Sequence, residues 1–101
     1  MITLILEAEP AVQQLRFNAQ QLVVELADGR TLAVPLTWYP RLVHATPAER
    51  NHWELLGDGY AIEWPDLDEH IGVEGLLAGR RSGESQQSFT RWLQARQPSR
   101  Q

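Results

Sequence analysis

Two runs of alternating apolar and polar residues, 21–26 and 31–36, constrain the fold of this chain more than any other feature. Their apolar positions are Leu22, Val24, Leu26, Leu32, Val34 and Leu36. A period of two is typical of a strand with one buried face. Asp28-Gly29 between the runs favours a two-residue turn of type I′, in which glycine tolerates a positive φ. The sequence therefore predicts an antiparallel β-hairpin with one face in the core.

Further strands are predicted on both sides of this hairpin. Apolar and polar residues alternate imperfectly in 11–17, which extends the hairpin to a three-stranded antiparallel meander. One face of this sheet is expected to be buried and the other exposed to solvent. A second hairpin is expected from residues 53–56 and 60–64 around the turn Gly57-Asp58-Gly59. Pro65 ends that hairpin, because proline has no N–H to donate to a ladder.

Four short segments have the signals of helices. Pro40 is suited to a first helical turn, and residues 46–49 read Thr-Pro-Ala-Glu, which predicts a capping box with proline at the tolerated first position. Apolar residues spaced by three and four within 73–78 predict a short helix that ends at Gly79. Residues 88–97 place Phe89, Trp92 and Leu93 on one face, which predicts an amphipathic, basic C-terminal helix.

These elements predict an α+β fold in one domain. We expect a compact α+β domain over 1–79, a polar linker over 80–87 and the amphipathic helix over 88–97. A chain of 101 residues with 43% hydrophobic residues is long enough for a single core. It contains no cysteine, which excludes disulfides and thiolate chemistry.

Formal charge is distributed unevenly along the chain. Residues 1–78 hold four arginines against twelve acidic residues, whereas residues 79–101 hold five arginines against one. A basic tail on an acidic body either neutralises its own domain or meets an anionic partner. Both interpretations remain open at this point.

The chain is expected to be cytoplasmic and to have no contact with the membrane. No apolar run approaches the length of a transmembrane span. The apolar residues 2–6 follow no basic residue and precede Glu7 and Glu9, which argues against a signal peptide.

Acidic residues are concentrated between the second hairpin and the helix at 73–78. The group comprises Asp66, Asp68, Glu69 and His70. Carboxylates and imidazole bind metals, but the spacing does not match a calcium loop. Acids that precede a helix also favour its positive end and turn amides. We therefore interpret this stretch as the corner between a strand and a helix rather than as a metal site.

No other pattern of reactive residues indicates an enzyme. His44 and His52 are eight residues apart and lack the spacing of a helical zinc pair. A general acid–base pair drawn from Glu54, Glu63 or Glu74 has no support from sequence distance. The chain has no lysine and hence no P-loop. We expect no catalytic residues, no cofactor and no bound metal.

Several motifs of this chain resemble those of the bacterial family known as domain of unknown function 2442. They cover about residues 8–79: Asp28-Gly29-Arg30, Pro40-Arg41-Leu42, Ala45-Thr46-Pro47-Ala48-Glu49-Arg50, Trp64-Pro65-Asp66-Leu67-Asp68-Glu69-His70-Ile71 and Val73-Glu74-Gly75-Leu76-Leu77. Gly72 stands where the family often has a small polar helix cap. The resemblance implies a small α+β domain, alone or joined to a helix-turn-helix, often encoded beside a small partner in a toxin–antitoxin arrangement. It implies no catalytic residues.

The leading hypothesis is a non-enzymatic, antitoxin-like protein-interaction domain of a bacterium. The residues expected to contact the partner are Asp66, Asp68, Glu69, Phe89, Trp92 and Leu93. That partner is a different protein or a second copy of the chain. The alternatives are a DNA-binding accessory or transcriptional regulator that uses the basic tail, and, less favoured, a metal-dependent enzyme.

Overall fold

The computed structural model, which describes residues 10–96, has an α+β fold. Two three-stranded antiparallel sheets are combined with three short α-helices, two 3₁₀ turns and a longer final helix. The strands are β1 (Val12–Phe17), β2 (Gln21–Leu26), β3 (Thr31–Pro35), β4 (Glu54–Leu56), β5 (Ala61–Trp64) and β6 (Glu69–Gly72). The α-helices are α1 (Pro40–Val43), α2 (Pro47–Arg50), α3 (Val73–Ala78) and α4 (Gln86–Arg96), and 3₁₀ turns cover Leu36–Trp38 and Pro65–Leu67. The expectations for residues 1–9 and for residue 97 lie outside the described residues.

The first sheet has the order β1-β2-β3 and confirms the predicted meander. Val12 pairs with Leu26, but the register then shifts, so that Gln14 faces Glu25. This β-bulge adds one residue to β1. It explains the imperfect alternation in the sequence, because the bulge returns Leu15 to the buried face.

The turn of the first hairpin differs from the predicted type I′. Leu26 pairs with Arg30 through its N–H, which leaves three loop residues, and the N–H of Gly29 bonds to the carbonyl of Leu26. Gly29 has φ +97°, whereas Asp28 is not at positive φ. The loop is therefore a tight turn followed by a left-handed glycine, the common geometry of a three-residue hairpin.

The acidic stretch connects two paired strands, β5 and β6. Its interpretation from sequence as a corner that leads directly from a strand into a helix was therefore wrong. Trp64 pairs with Glu69 across β5 and β6, and the four residues 65–68 join the two strands. They form a 3₁₀ turn that ends at Asp68 in the left-handed region, with φ 53°. Strand β6 makes the second sheet three-stranded, with the order β4-β5-β6, and α3 follows it directly.

The core lies between the two sheets and is centred on Trp64. This side chain is fully buried, and its indole Nε1 donates a hydrogen bond of 3.0 Å to the carbonyl of Arg50. Phe17 of the first sheet meets the Trp64 ring edge to face at 6.3 Å. Trp38 and Trp53 pack against the same core and are partly buried. Trp38, Trp53 and Trp64 thus all contribute to the core.

The predicted capping box at the start of α2 is confirmed. The amide of Glu49 donates to Thr46 Oγ1 at 3.1 Å, and the Glu49 carboxylate accepts from the Thr46 amide at 2.9 Å. Pro47 occupies the first helical position.

Within residues 10–96, no helix is both long enough and apolar enough to cross a membrane.

Removing the cap is expected to destabilise the domain. Thr46→Ala leaves the Glu49 amide without its acceptor and should lower the free energy of unfolding by about 1 kcal/mol, which corresponds to a drop of roughly 4–8 °C in the melting temperature. Thr37→Ala, at an exposed position in a 3₁₀ turn, is the matched control. Equal melting temperatures for the two variants would contradict the cap assignment.

Gly59, in the turn between β4 and β5, lies against the backbone of Val12 in β1 and should not tolerate a side chain. Its carbonyl accepts from the Val12 amide at 2.7 Å, and its φ is +101°. An added Cβ would lie 2.3 Å from the Val12 carbonyl oxygen. We expect Gly59→Ala to cost about 2 kcal/mol or more in denaturant unfolding. Gly83→Ala, which meets open space, should be nearly neutral.

Candidate functional site

A polar cleft of about 380 Å³ lies beside the second sheet. One wall holds Tyr39 and Arg41, the floor is formed by residues 68–72, and the other wall is the segment 80–84, here called the strap. The volume is within the range of roughly 300–1,000 Å³ that is common for ligand sites. Unlike most such sites, the cleft is lined mainly by polar and charged residues.

Glu69 faces the inside of the molecule because of its strand register. It stands opposite the buried Trp64, whereas the next residue, His70, pairs with Glu63 on the outer face. Loss of hydration raises the pKa of the Glu69 carboxyl to about 7, opposed by the charge of Arg41 and aided by Glu84 and Asp68. Glu69 is thus a largely buried carboxyl that changes protonation near neutral pH.

Arg41 joins the cleft walls through one ion pair and two backbone contacts. Its Nε and Nη2 donate to the Glu84 carboxylate at 3.0 and 2.5 Å, a bidentate arrangement. Its Nη1 donates to the carbonyls of Leu67 and Asp68 at 2.8 and 3.0 Å. Both partners of the ion pair are largely buried, and Arg41 holds the pKa of Glu84 below its usual value.

Contacts of Tyr39, Ser82 and Glu84 are among those that hold the strap against the body. Tyr39 Oη donates to the carbonyl of Arg80 at 3.0 Å, and the Ser82 amide donates to the carbonyl of Trp38, also at 3.0 Å. Glu84 supplies a further contact through Arg41. Residues 80–85 form neither helix nor strand, but the hydrogen bonds keep the strap against the cleft.

Helix α4 continues from the strap and packs on the body through the predicted aromatic face. Phe89, Trp92 and Leu93 are partly buried, and no residue of α4 is fully buried. The Trp92 ring lies between two guanidinium groups, with Arg41 at 5.0 Å and Arg96 at 4.6 Å from its centroid. We call this group, together with Phe89, the aromatic–arginine ridge.

Glu49 anchors the far end of α4. Its carboxylate accepts from Arg96 Nη1 and Nη2 at 2.9 and 2.8 Å while it also caps α2. These hydrogen bonds, led by the one from Arg96, lower the pKa of Glu49 to about 2. The His44 ring adds a contact to Phe89, with 5.4 Å between ring centroids.

The predicted acidic residues separate in the structure. Asp66 lies on the surface, where its carboxylate is 2.7 Å from His52 Nδ1, and this contact raises the pKa of His52. Asp68 is exposed at the turn, and Glu69 faces the cleft. Among residues 10–96, no three histidine or acidic side chains are arranged to hold a metal ion.

Arg41 connects the two surfaces that the sequence predicted separately, although sequence reasoning assigned it no role. It contacts the Asp68 carbonyl, Glu84 and the Trp92 ring. The sequence signal that pointed to Arg41 was the Pro40-Arg41-Leu42 motif, which is part of the family resemblance. A single arginine in a short helix carries no further signal, because its partners lie more than 25 residues away in sequence.

Glu69 should make the domain less stable at alkaline pH. A carboxyl with a raised folded-state pKa binds more protons when folded than when unfolded between pH 4.5 and about 7, so stability falls as pH rises through that window. Glu69→Gln has no carboxyl to ionise at this position, so the variant should not lose this stability as the pH rises. At pH 8 we expect the variant to be more stable by about 1–2 kcal/mol, after allowance for solvent screening.

Chemical denaturation at pH 5 and pH 8 measures this difference. Glu63→Gln, on the outer face of the same sheet, is the control and should not reproduce the gain at pH 8. A Glu69→Gln variant with the same pH dependence as the parent would contradict the assignment.

Comparisons with known proteins agree with this fold. A structure of a protein of unknown function from Rhodospirillum rubrum has 29% identity and a TM-score of 0.66, and the match covers 76% of this chain and 95% of that one. The NMR structure of an uncharacterised protein from Chromobacterium violaceum has 23% identity and a TM-score of 0.62, with 80% and 74% covered, and supports the fold alone. No curated protein matches the chain in sequence. The family model for proteins of unknown function DUF2442 matches residues 12–82, and the chain therefore belongs to the DUF2442 family.

Proposed function

We propose that this chain is a non-enzymatic protein-interaction domain of a bacterium, antitoxin-like, which binds a small protein partner in the cytoplasm. The observation that carries the proposal is the aromatic–arginine ridge. Tryptophan and arginine are the residues most enriched among those that contribute strongly to protein–protein binding. Here Trp92 and Arg96 are partly exposed on the outside of the domain, and the largely buried Arg41 lies against the same ring.

The packing of α4 supports a role beyond closing the core. Its aromatic face covers the body without any fully buried side chain. Two ion pairs, Arg41 with Glu84 and Arg96 with Glu49, hold the helix instead. The four side chains are between 13% and 24% exposed to solvent. A helix held in this way presents its rings in a defined orientation, which reduces the entropy lost when a partner binds.

The charge arrangement favours a protein partner over DNA. Of the tail arginines, Arg96 is paired with Glu49. Arg81 lies over the Trp38 ring at 5.3 Å from its centroid, and among the described tail residues Arg80, Arg81 and Arg91 are exposed charges. Three exposed charges on a domain with a net formal charge of −4 would give weak, salt-sensitive DNA binding.

Substitution of Trp92 tests the proposed surface. The tagged full-length chain should co-purify with one small protein from its own host, and Trp92→Ala should reduce recovery at least about tenfold, because interface tryptophans commonly contribute 2 kcal/mol or more. Arg91→Ala, at an exposed position next to it in sequence, is the matched control and should retain the partner. Melting curves establish that both variants are folded.

Two results would overturn the proposal. One is repeated recovery of the parent chain as a lone monomer from its host. The other is equal recovery of the partner by the parent and by folded Trp92→Ala, which would place the contact elsewhere on the domain.

A further inference from the structure

We propose that the cleft beside Glu69 receives a cationic side chain, an arginine or a lysine, from the protein partner. This inference rests on the proposed function and identifies a second contact of the same interaction. The motivating geometry is a cleft of about 380 Å³ with a largely buried carboxyl on its floor.

Glu69 lacks a hydrogen-bonding partner of its own. Only burial and the charges of Arg41, Glu84 and Asp68 act on its carboxyl, and among residues 10–96 no donor hydrogen-bonds to it. The nearest arginine, Arg41, directs four of its N–H groups to Glu84 and to two backbone carbonyls. Arg41 therefore acts on Glu69 through charge alone, and the carboxylate oxygens remain available as acceptors.

Arg80 and Arg81 also line the cleft, but neither is among the charges that act on Glu69. The Arg81 guanidinium lies over the Trp38 ring. The charges nearest to Glu69 besides Arg41 are the carboxylates of Glu84 and Asp68. The charge of Arg41 is already paired with Glu84, so an anionic guest would meet the unpaired carboxylates of Glu69 and Asp68, whereas a cationic guest would be attracted by both.

A cationic guest also removes the energetic penalty on Glu69. A buried charge is favourable only when it is paired and hydrogen-bonded. A guanidinium or ammonium group donates the hydrogen bonds that Glu69 lacks, and guanidinium matches a carboxylate in a bidentate geometry. The strap, bound by Tyr39 and by Arg41 through Glu84, keeps the opposite wall in place for this contact.

Proton linkage gives the inference a specific signature. A cation binds the ionised carboxylate, and Glu69 is half protonated near pH 7. The dissociation constant should therefore fall about tenfold from pH 6 to pH 8. His70 belongs to the segment that forms the cleft floor, although it pairs with Glu63 on the outer face, and a His70→Gln variant separates its contribution from that of Glu69.

Titration of the full-length chain with N-acetyl-arginine methylamide, followed by NMR, tests the cleft. Shifts should concentrate at Tyr39, Glu69 and Gly83, and the neutral citrulline analogue should cause none. Glu69→Gln should abolish binding, whereas Glu63→Gln on the outer face should preserve it. His70→Gln should keep most of the tenfold pH dependence. No binding at pH 8, equal binding of the citrulline analogue, or binding by Glu69→Gln would overturn the inference.

Co-purification from the host separates this inference from the proposed function. Loss of the partner with Glu69→Gln supports the cleft as a contact. Equal recovery by the parent and by Glu69→Gln overturns the cleft as a partner site, while the proposed function stands on Trp92. If the parent recovers no partner, the proposed function fails, and binding of the arginine compound would then assign the cleft to a free cation, against the present inference.

Discussion

The burial of Trp64 is the constraint on which the rest of the structure depends. Its ring fills the space between the two sheets, and its N–H is bonded to the carbonyl of Arg50 at the end of α2. A buried indole requires such a partner, because an unpaired N–H in the core is costly. That hydrogen bond connects the end of α2 to the second sheet, whose strand β5 buries Ile62 and Trp64 on the same face.

The same constraint determines the chemistry of the cleft. Glu69 is paired with Trp64 across the hairpin, and directly opposed residues share a face of the sheet. The carboxyl is thereby held on the inner face, where it loses hydration. Arg41 then connects the cleft to α4 through Glu84 and the Trp92 ring. The cleft and the aromatic–arginine ridge are two parts of one continuous surface.

Elements with strong local signals were predictable from sequence, and those without them were not. The capping box at 46–49 and the helix at 73–78 depend on contacts within one turn, so the local pattern is sufficient to identify them. Strand β6 was missed because only Ile71 is apolar among its four residues and Glu69 occupies an inward position. The turn at Asp28 was assigned the wrong type because a bulge-type loop and a two-residue turn both favour glycine at Gly29.

By itself, the sequence determined the α+β class, the first sheet, the order of the helices and the amphipathic face of α4, since these follow from the periodicity and capping of nearby residues. Only the tertiary structure decided which acidic residue is buried and how α4 packs. The Arg41–Glu84 and Arg96–Glu49 pairs join residues more than 40 positions apart. No local pattern encodes such a pairing, because it arises only when the core around Trp64 brings distant segments together.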